Sequence, residues 1–195
     1  MLSKHLLTTR VKSSRWSLIS QTSVFYPRPR DFLDGKVPRP IHMYVGRVTV
    51  EKNLPAFLDL DLPGSKVVIG DGPQRQELIR RYPKAHFFIA NGDDELARYY
   101  SAADVFVFPS RTDTFGLVML EALACGTPVA AFPVPGPLDV LGDAAVGALD
   151  QNLVVAAARA REIASEQCRD YARNFSWSAV SEQFLSALSP IPRTS

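Results

Sequence analysis

A chain of 195 residues with 46% hydrophobic and 22% charged side chains can bury one substantial core, which excludes a disordered, collagen-like or wholly membrane-embedded protein. The formal net charge of +2 is too mild to point to nucleic acid, and beyond the first thirty positions the basic residues form no long cluster. No apolar run approaches the length of a transmembrane helix, and Cys125 and Cys168, with no CxxC and no histidine at ligand spacing, fit a reduced, cytosolic protein.

The first thirty residues carry Lys4, Arg10, Lys12, Arg15, Arg28 and Arg30 ahead of the first acid, Asp31. That composition resembles an organellar transit peptide, but no amphipathic pattern runs through it and Pro27 and Pro29 end any helix early. Residues 1–39 are therefore read as an N-terminal extension or linker remnant, and 40–190 as one folded domain. From residue 40 short apolar runs alternate with amphipathic segments. Residues 41–45 read as a strand, 51–60 as a helix and 66–69 as the next strand. Proline is tolerated in a first helical turn, so 73–81 reads as a helix entered through Gly70-Asp71-Gly72. Residues 85–89 follow as a strand, then a helix capped by Asp93 or Asp94 and running to 102. The run 104–108 is almost purely apolar, as a strand covered on both faces should be. A helix over 115–125 is stopped by Gly126, 128–132 is a strand, Pro133 to Pro137 a stiff loop, and 144–149 the last strand. Helices over 151–173 and 176–188 close the chain. The expected fold class is α/β, a doubly wound parallel sheet of Rossmann-like type, whose ligands sit at the carboxyl ends of the strands.

Gly46-Arg47 follows the first strand and precedes a turn holding Glu51 and Lys52, so two cations and several backbone N–H groups face the same crevice. Arginine can grip phosphate oxygens bidentately, lysine adds a point charge and a helix start adds partial positive charge, which together suit a diphosphate. Ordinary solvated side chains explain the same spacing. Gly70-Asp71-Gly72-Pro73 is half of a dinucleotide fingerprint, but Arg75 stands where a third glycine would allow close helix packing, and Ile89-Ala90-Asn91 offers no acid for a ribose. Nicotinamide chemistry is discounted on both grounds. Asp113 and Glu121, seven residues between them, flank Gly116 at the start of an apolar helix whose free N–H groups would face the crevice mouth. The structural alternative makes Asp113 a helix-start carboxylate and Glu121 a partner of Arg111 or Arg75. Asp59-Leu60-Asp61 imitates a metal-binding D-x-D but lies just before Pro63-Gly64, so solvated loop carboxylates and no metal are expected.

The ordered set Gly46-Arg47, Glu51-Lys52, Gly70-Asp71-Gly72-Pro73 and Asp113-x7-Glu121 resembles the donor-binding, carboxyl-terminal half of retaining glycosyltransferases of family 4, which have the GT-B fold. The resemblance covers about residues 41–188, and it implies that Pro133 to Pro137, if not a stiff loop only, is part of the lip near the sugar. It implies a single GT-B half-domain binding an NDP-sugar, a UDP- or GDP-hexose, and belonging to a transfer of the sugar with retention onto a lipid or saccharide acceptor. Arg47, Lys52 and Asp113 would be catalytic. Gly46, Gly70, Asn91, Thr114, Phe115, Gly116 and Glu121 would join them in binding the donor, with Glu121 on the ribose. Asp113 departs from the commoner glutamate by one methylene, which implies an altered sugar contact. No cofactor is implied, because the NDP-sugar is a substrate. The acceptor domain would be in another chain or missing, leaving a non-catalytic subunit or an inactive fragment as alternatives. The expected location is cytoplasmic, with peripheral association at the inner face of a membrane as an extension of that reading.

Overall fold

The computed structural model describes residues 24–112 and 116–175. Asp113, Thr114 and Phe115, and the expected helix over 176–188, lie outside the described residues. Six parallel strands form one sheet: β1 (Ile41–Val45), β2 (Ser65–Ile69), β3 (His86–Phe88), β4 (Val105–Phe108), β5 (Val129–Ala131) and β6 (Gly147–Leu149). Their order across the sheet is β3-β2-β1-β4-β5-β6. This is the doubly wound order, in which the chain leaves β1 toward one edge and returns to the other side of it as β4.

Side-chain alternation along the strands divides the core in two. Ile41, Met43, Val67, Phe106, Phe108 and Val129 pack under α3 (Asp93–Ala102), α4 (Leu117–Ala124) and α7 (Ser165–Arg173). Tyr44, Val68, Val105, Val107 and Ala130 pack under α1 (Leu54–Leu58), α2 (Arg75–Arg81) and α6 (Leu153–Ala160). All four residues of β4 are buried, as its unbroken apolar run predicts. None of the helices among the described residues is long and apolar enough to cross a membrane.

The structure corrects several expected elements. Residues 51–60 are not one helix: a 3₁₀ turn, Val50–Lys52, is separated from α1 by Asn53 at φ 55°. α2 begins at Arg75, two residues after Pro73. Neither Asp93 nor Asp94 caps α3, whose N-cap is Gly92; both aspartates stand in the first turn, where a negative charge meets the positive end of the helix. The span 151–173 holds two helices, α6 with its start capped by the Asn152 side chain accepting from Val154 N at 3.0 Å, and α7. Pro135 opens a helix, α5 (Pro135–Leu141), where a stiff loop was expected.

Part of the stretch ahead of β1 packs into the domain. Phe25, Leu33 and Val37 are buried in the larger core, and the 3₁₀ turn Arg30–Leu33 lies against α3. Asp104 fastens this stretch to the amino end of β4. Its Oδ1 accepts from Arg30 at 2.5 Å and Arg39 at 3.0 Å, and its Oδ2 accepts from Ile41 N at 2.6 Å. Asp104→Ala strips the acceptor from two guanidinium groups and a backbone amide, so it is expected to lower stability by about 2–4 kcal/mol in urea unfolding. A loss below about 1 kcal/mol would show that solvent replaces these bonds and that the stretch is not held by them.

Candidate functional site

β1 and β4 are neighbours while their outgoing loops run to opposite sides, so their carboxyl ends form the switch point at which sheets of this order bind ligands. The β1 loop is held on its β2 side by backbone bonds that continue the ladder past the strand ends. Gly46 N donates to Ile69 O at 3.0 Å, Val48 N to Asp71 O at 2.9 Å, and Gln74 N back to Val48 O at 3.1 Å. Two glycines permit this approach. A Cβ on Gly70 (φ 144°) would stand 2.0 Å from Gly46 O, and one on Gly72 would stand 2.4 Å from Val48 O. The half-fingerprint Gly-Asp-Gly-Pro is thus the contact surface of two adjoining loops. Beneath them the Tyr44 hydroxyl donates to Arg47 O at 2.9 Å, fixing the backbone that carries the exposed Arg47 side chain.

On its β4 side the same loop is hooked twice. Asn53 Nδ2 donates to Pro109 O at 3.1 Å, and Ser110 Oγ to Glu51 O at 3.3 Å, with Ser110 itself only 1% exposed. The half-buried Lys52 lies between these hooks. Gly116, the N-cap of α4, is buried: a Cβ there would meet Met119 Cε at 2.2 Å and Val140 Cγ2 at 2.8 Å, so its lack of a side chain seats α4 against α5. Gly46, Arg47, Lys52 and Gly70 therefore gather around the ends of β1, β2 and β4, while Gly116 stands at the amino end of α4.

Two expected site residues stand apart from that group. Asn91 follows the edge strand β3, and its backbone N and its Nδ2 both donate to Glu95 Oε2, at 2.7 and 3.0 Å. Glu121 lies in α4 at 8% exposure, where its Oε2 accepts from the Tyr100 hydroxyl at 2.9 Å. Burial first, and then the Glu121 carboxylate, push the Tyr100 phenol well above its ordinary range, so it remains a donor. Phe25 and Phe106 meet the same ring edge-on, at 5.9 and 5.7 Å between centroids. Tyr100→Phe keeps those ring contacts and removes one donor from a buried carboxylate, so a loss of about 1–3 kcal/mol is expected in thermal or urea unfolding. An unchanged stability would mean that Glu121 finds another donor or takes up a proton.

Sequence reasoning missed Asn53, Ser110 and Tyr100. A short turn ending in asparagine before Leu54-Pro55 was a readable signal for the left-handed residue. Tyr100 gave none, because its contact with Glu121 joins two helices that are neighbours only in the fold. The proposed pairing of Glu121 with Arg111 or Arg75 is not among the contacts made by either arginine. Arg111 lies 3.6 Å over the Phe132 ring and bonds Gln151, while Arg75 reaches Phe87 O at 3.4 Å. Asp59 of the D-x-D look-alike accepts from the Tyr82 hydroxyl at 2.8 Å. Cys125 and Cys168 are free thiols, both pushed up to about 12 by burial, which keeps them out of nucleophilic chemistry.

A parallel sheet in this order, with glycine-lined β1 and β2 loops meeting beside the point where its connections reverse between β1 and β4, defines a Rossmann-like α/β domain. The family model described as "Glycosyl transferases group 1" matches residues 30–174, and the chain belongs to that family. It is 34% identical over 137 residues to the sulfoquinovosyl transferase SQD2 of Arabidopsis thaliana, covering 65% of this chain and 27% of that protein. It is 36% identical over 136 residues to a GDP-mannose-dependent alpha-mannosyltransferase of Mycobacterium tuberculosis, covering 65% of this chain and 35% of that protein. Among solved structures, the sucrose-phosphate synthase of Thermosynechococcus elongatus superposes with a TM-score of 0.66 at 27% identity, over 85% of this chain and 49% of that one. The chain thus spans about a third or less of these two curated relatives and about half of the synthase.

Proposed function

We propose that this chain is the donor-binding domain of a retaining glycosyltransferase of family 4, and that it takes an NDP-hexose at the β1–β4 switch point. The observation that carries this reading is the β1 loop, which presents Arg47 and Lys52 beside the β4 loop while hydrogen bonds fasten it on both sides. Two cations so placed suit the diphosphate of a nucleotide sugar, and neutralising it as it departs is where such a site lowers the barrier. The GDP-mannose named for one relative supports a nucleotide-sugar donor. In this reading Gly116 opens the helix facing the sugar, Asp113 orients the sugar, Thr114 and Phe115 join in binding the donor, and Glu121, aimed by Tyr100, receives the ribose. Gly46 and Gly70 let the backbone approach the phosphates, and Asn91 flanks the base side. No metal or other cofactor enters the proposal: the positive charge comes from Arg47, Lys52 and the amino end of α4. The acceptor, a lipid or a saccharide, is bound by a second domain that this chain's described fold does not include, and the expected location is the cytoplasm, at the inner face of a membrane when the acceptor is a lipid.

Calorimetric titration with UDP-glucose and with GDP-mannose tests this. Saturable binding of one of them, weakened about ten- to a hundredfold in Arg47→Ala, is the expected result, since a hydrogen bond to a charged group is worth about 1.5–3 kcal/mol. Donor affinity unchanged in both Arg47→Ala and Lys52→Ala would remove the diphosphate site from these residues.

A further inference from the structure

A cavity of about 460 Å³ opens at the opposite end of the sheet, where β2 and β3 begin and α1 and α2 end. Its size falls in the range of sites that hold small organic ligands. The five residues of β2, about 17 Å of strand, separate it from the Gly70 loop. None of its lining belongs to the motifs that carry the proposed function.

The lining sorts by depth. Leu58 is buried, and Leu60, Leu62, Lys66, Tyr82 and Ala85 are half-buried. Arg81, Lys84 and Asp61 stand exposed at the mouth. Three lining cations against Asp61, and against Asp59 held on the Tyr82 hydroxyl, leave the cavity positive by one charge. Lys66 is the informative residue. Its Nζ donates to Leu58 O at 2.5 Å, and burial lowers its affinity for its proton while Asp59 and Asp61 act in the opposite sense. Among the described residues no carboxylate lies within ion-pair distance of Lys66, Arg81 or Lys84. Asp59, one of the two carboxylates whose charge acts on Lys66, accepts from the Tyr82 hydroxyl at 2.8 Å. An ammonium group set among leucines is stabilised by an anion brought to it, and apolar walls reward a ligand whose body is apolar.

We propose that this cavity is a binding site for a small amphiphilic anion, with its carboxylate or phosphate head between Lys66 and the Arg81/Lys84 mouth and its apolar body against Leu60, Leu62 and Tyr82. Lys66 supplies the inner charge, and the two mouth cations attract the head and screen it from Asp61.

The test uses the full chain and decanoate below its micellar concentration, followed by amide chemical shifts, with decyltrimethylammonium and inorganic phosphate as parallel probes. The expected result is saturable, one-site binding of decanoate that moves the amides of Lys66, Tyr82 and Ala85. Lys66→Met keeps the apolar stem and should weaken it at least tenfold. Lys84→Glu, at an exposed position where folding is undisturbed, should weaken it severalfold. Equal binding of the cationic amphiphile, binding of phosphate as tight as that of decanoate, no saturable shift of these amides, or decanoate affinity unchanged in both variants would each overturn the proposal. Because no Arg47 or Lys52 contact is involved, the result is independent of whether a nucleotide sugar binds at the other end of the sheet.

Discussion

Gly70→Ala is expected to lower the stability of the domain by about 3–5 kcal/mol. The new Cβ would stand 2.0 Å from Gly46 O, a backbone atom that cannot swing aside as the tip of a side chain can. The residue also sits at φ 144°, outside the region that alanine occupies without strain. Relief requires the β1 loop to move away from the β2 loop, which breaks the bonds from Gly46 N to Ile69 O and from Val48 N to Asp71 O. Gly35→Ala is the control: φ there is 71° with nothing within 4 Å of the added carbon, so only the conformational cost of about 1–2 kcal/mol applies. Urea unfolding of the two variants side by side checks both values. If they lose the same amount, the close approach of the loops is not what the glycine serves.

The second large effect is a loss of stability in mild acid that runs through His42. This residue is 2% exposed on the central strand β1, and its imidazole is driven down from 6.5 to about 4. Burial is the leading cause; Arg161 and Lys66 add to it, and Asp104 opposes it. The folded state therefore prefers the neutral ring. Above pH 6.5 the folded and unfolded states are both neutral and the full stability is present. As pH falls below 6.5 the unfolded chain takes up the proton first, so stability drops, and the drop levels off below about pH 4, where the folded state is protonated too. The total is about 3 kcal/mol, with about 2 kcal/mol of it gone by pH 5. Urea unfolding at pH 7 and pH 5 should show that difference in the native protein and lack it in His42→Gln, whose side chain does not titrate. An equal acid loss in both proteins would place the effect on the carboxylates instead.

Which parts of this molecule could be read in advance follows from how local their causes are. β4 was legible because a strand covered on both faces must be apolar at every position, and Val105 to Phe108 is. α5 was not, because three prolines in five residues read as a breaker of structure. The first turn of a helix, however, needs no N–H from Pro135 or Pro137, and there the same residues fit. The helix expected over 51–60 failed at Asn53, whose left-handed backbone is held in place by a bond to Pro109 that no local pattern reveals. Arg47, Lys52, Gly46 and Gly70 were legible as a group because each sits on a strand-to-helix loop and the doubly wound topology brings such loops together. Tyr100 and Ser110 were not, since their roles depend on which helix or loop lies across from them.

The hooks at Asn53 and Ser110 bear on affinity as well as on position. A ligand that touches both the β1 and the β4 loops would ordinarily spend part of its binding energy on immobilising two independent segments. Here Asn53 Nδ2 on Pro109 O and Ser110 Oγ on Glu51 O have already joined them into one rigid body. That ordering was met during folding and is not charged again when a ligand spanning the two loops arrives, so affinity gained across them is not spent on holding them together.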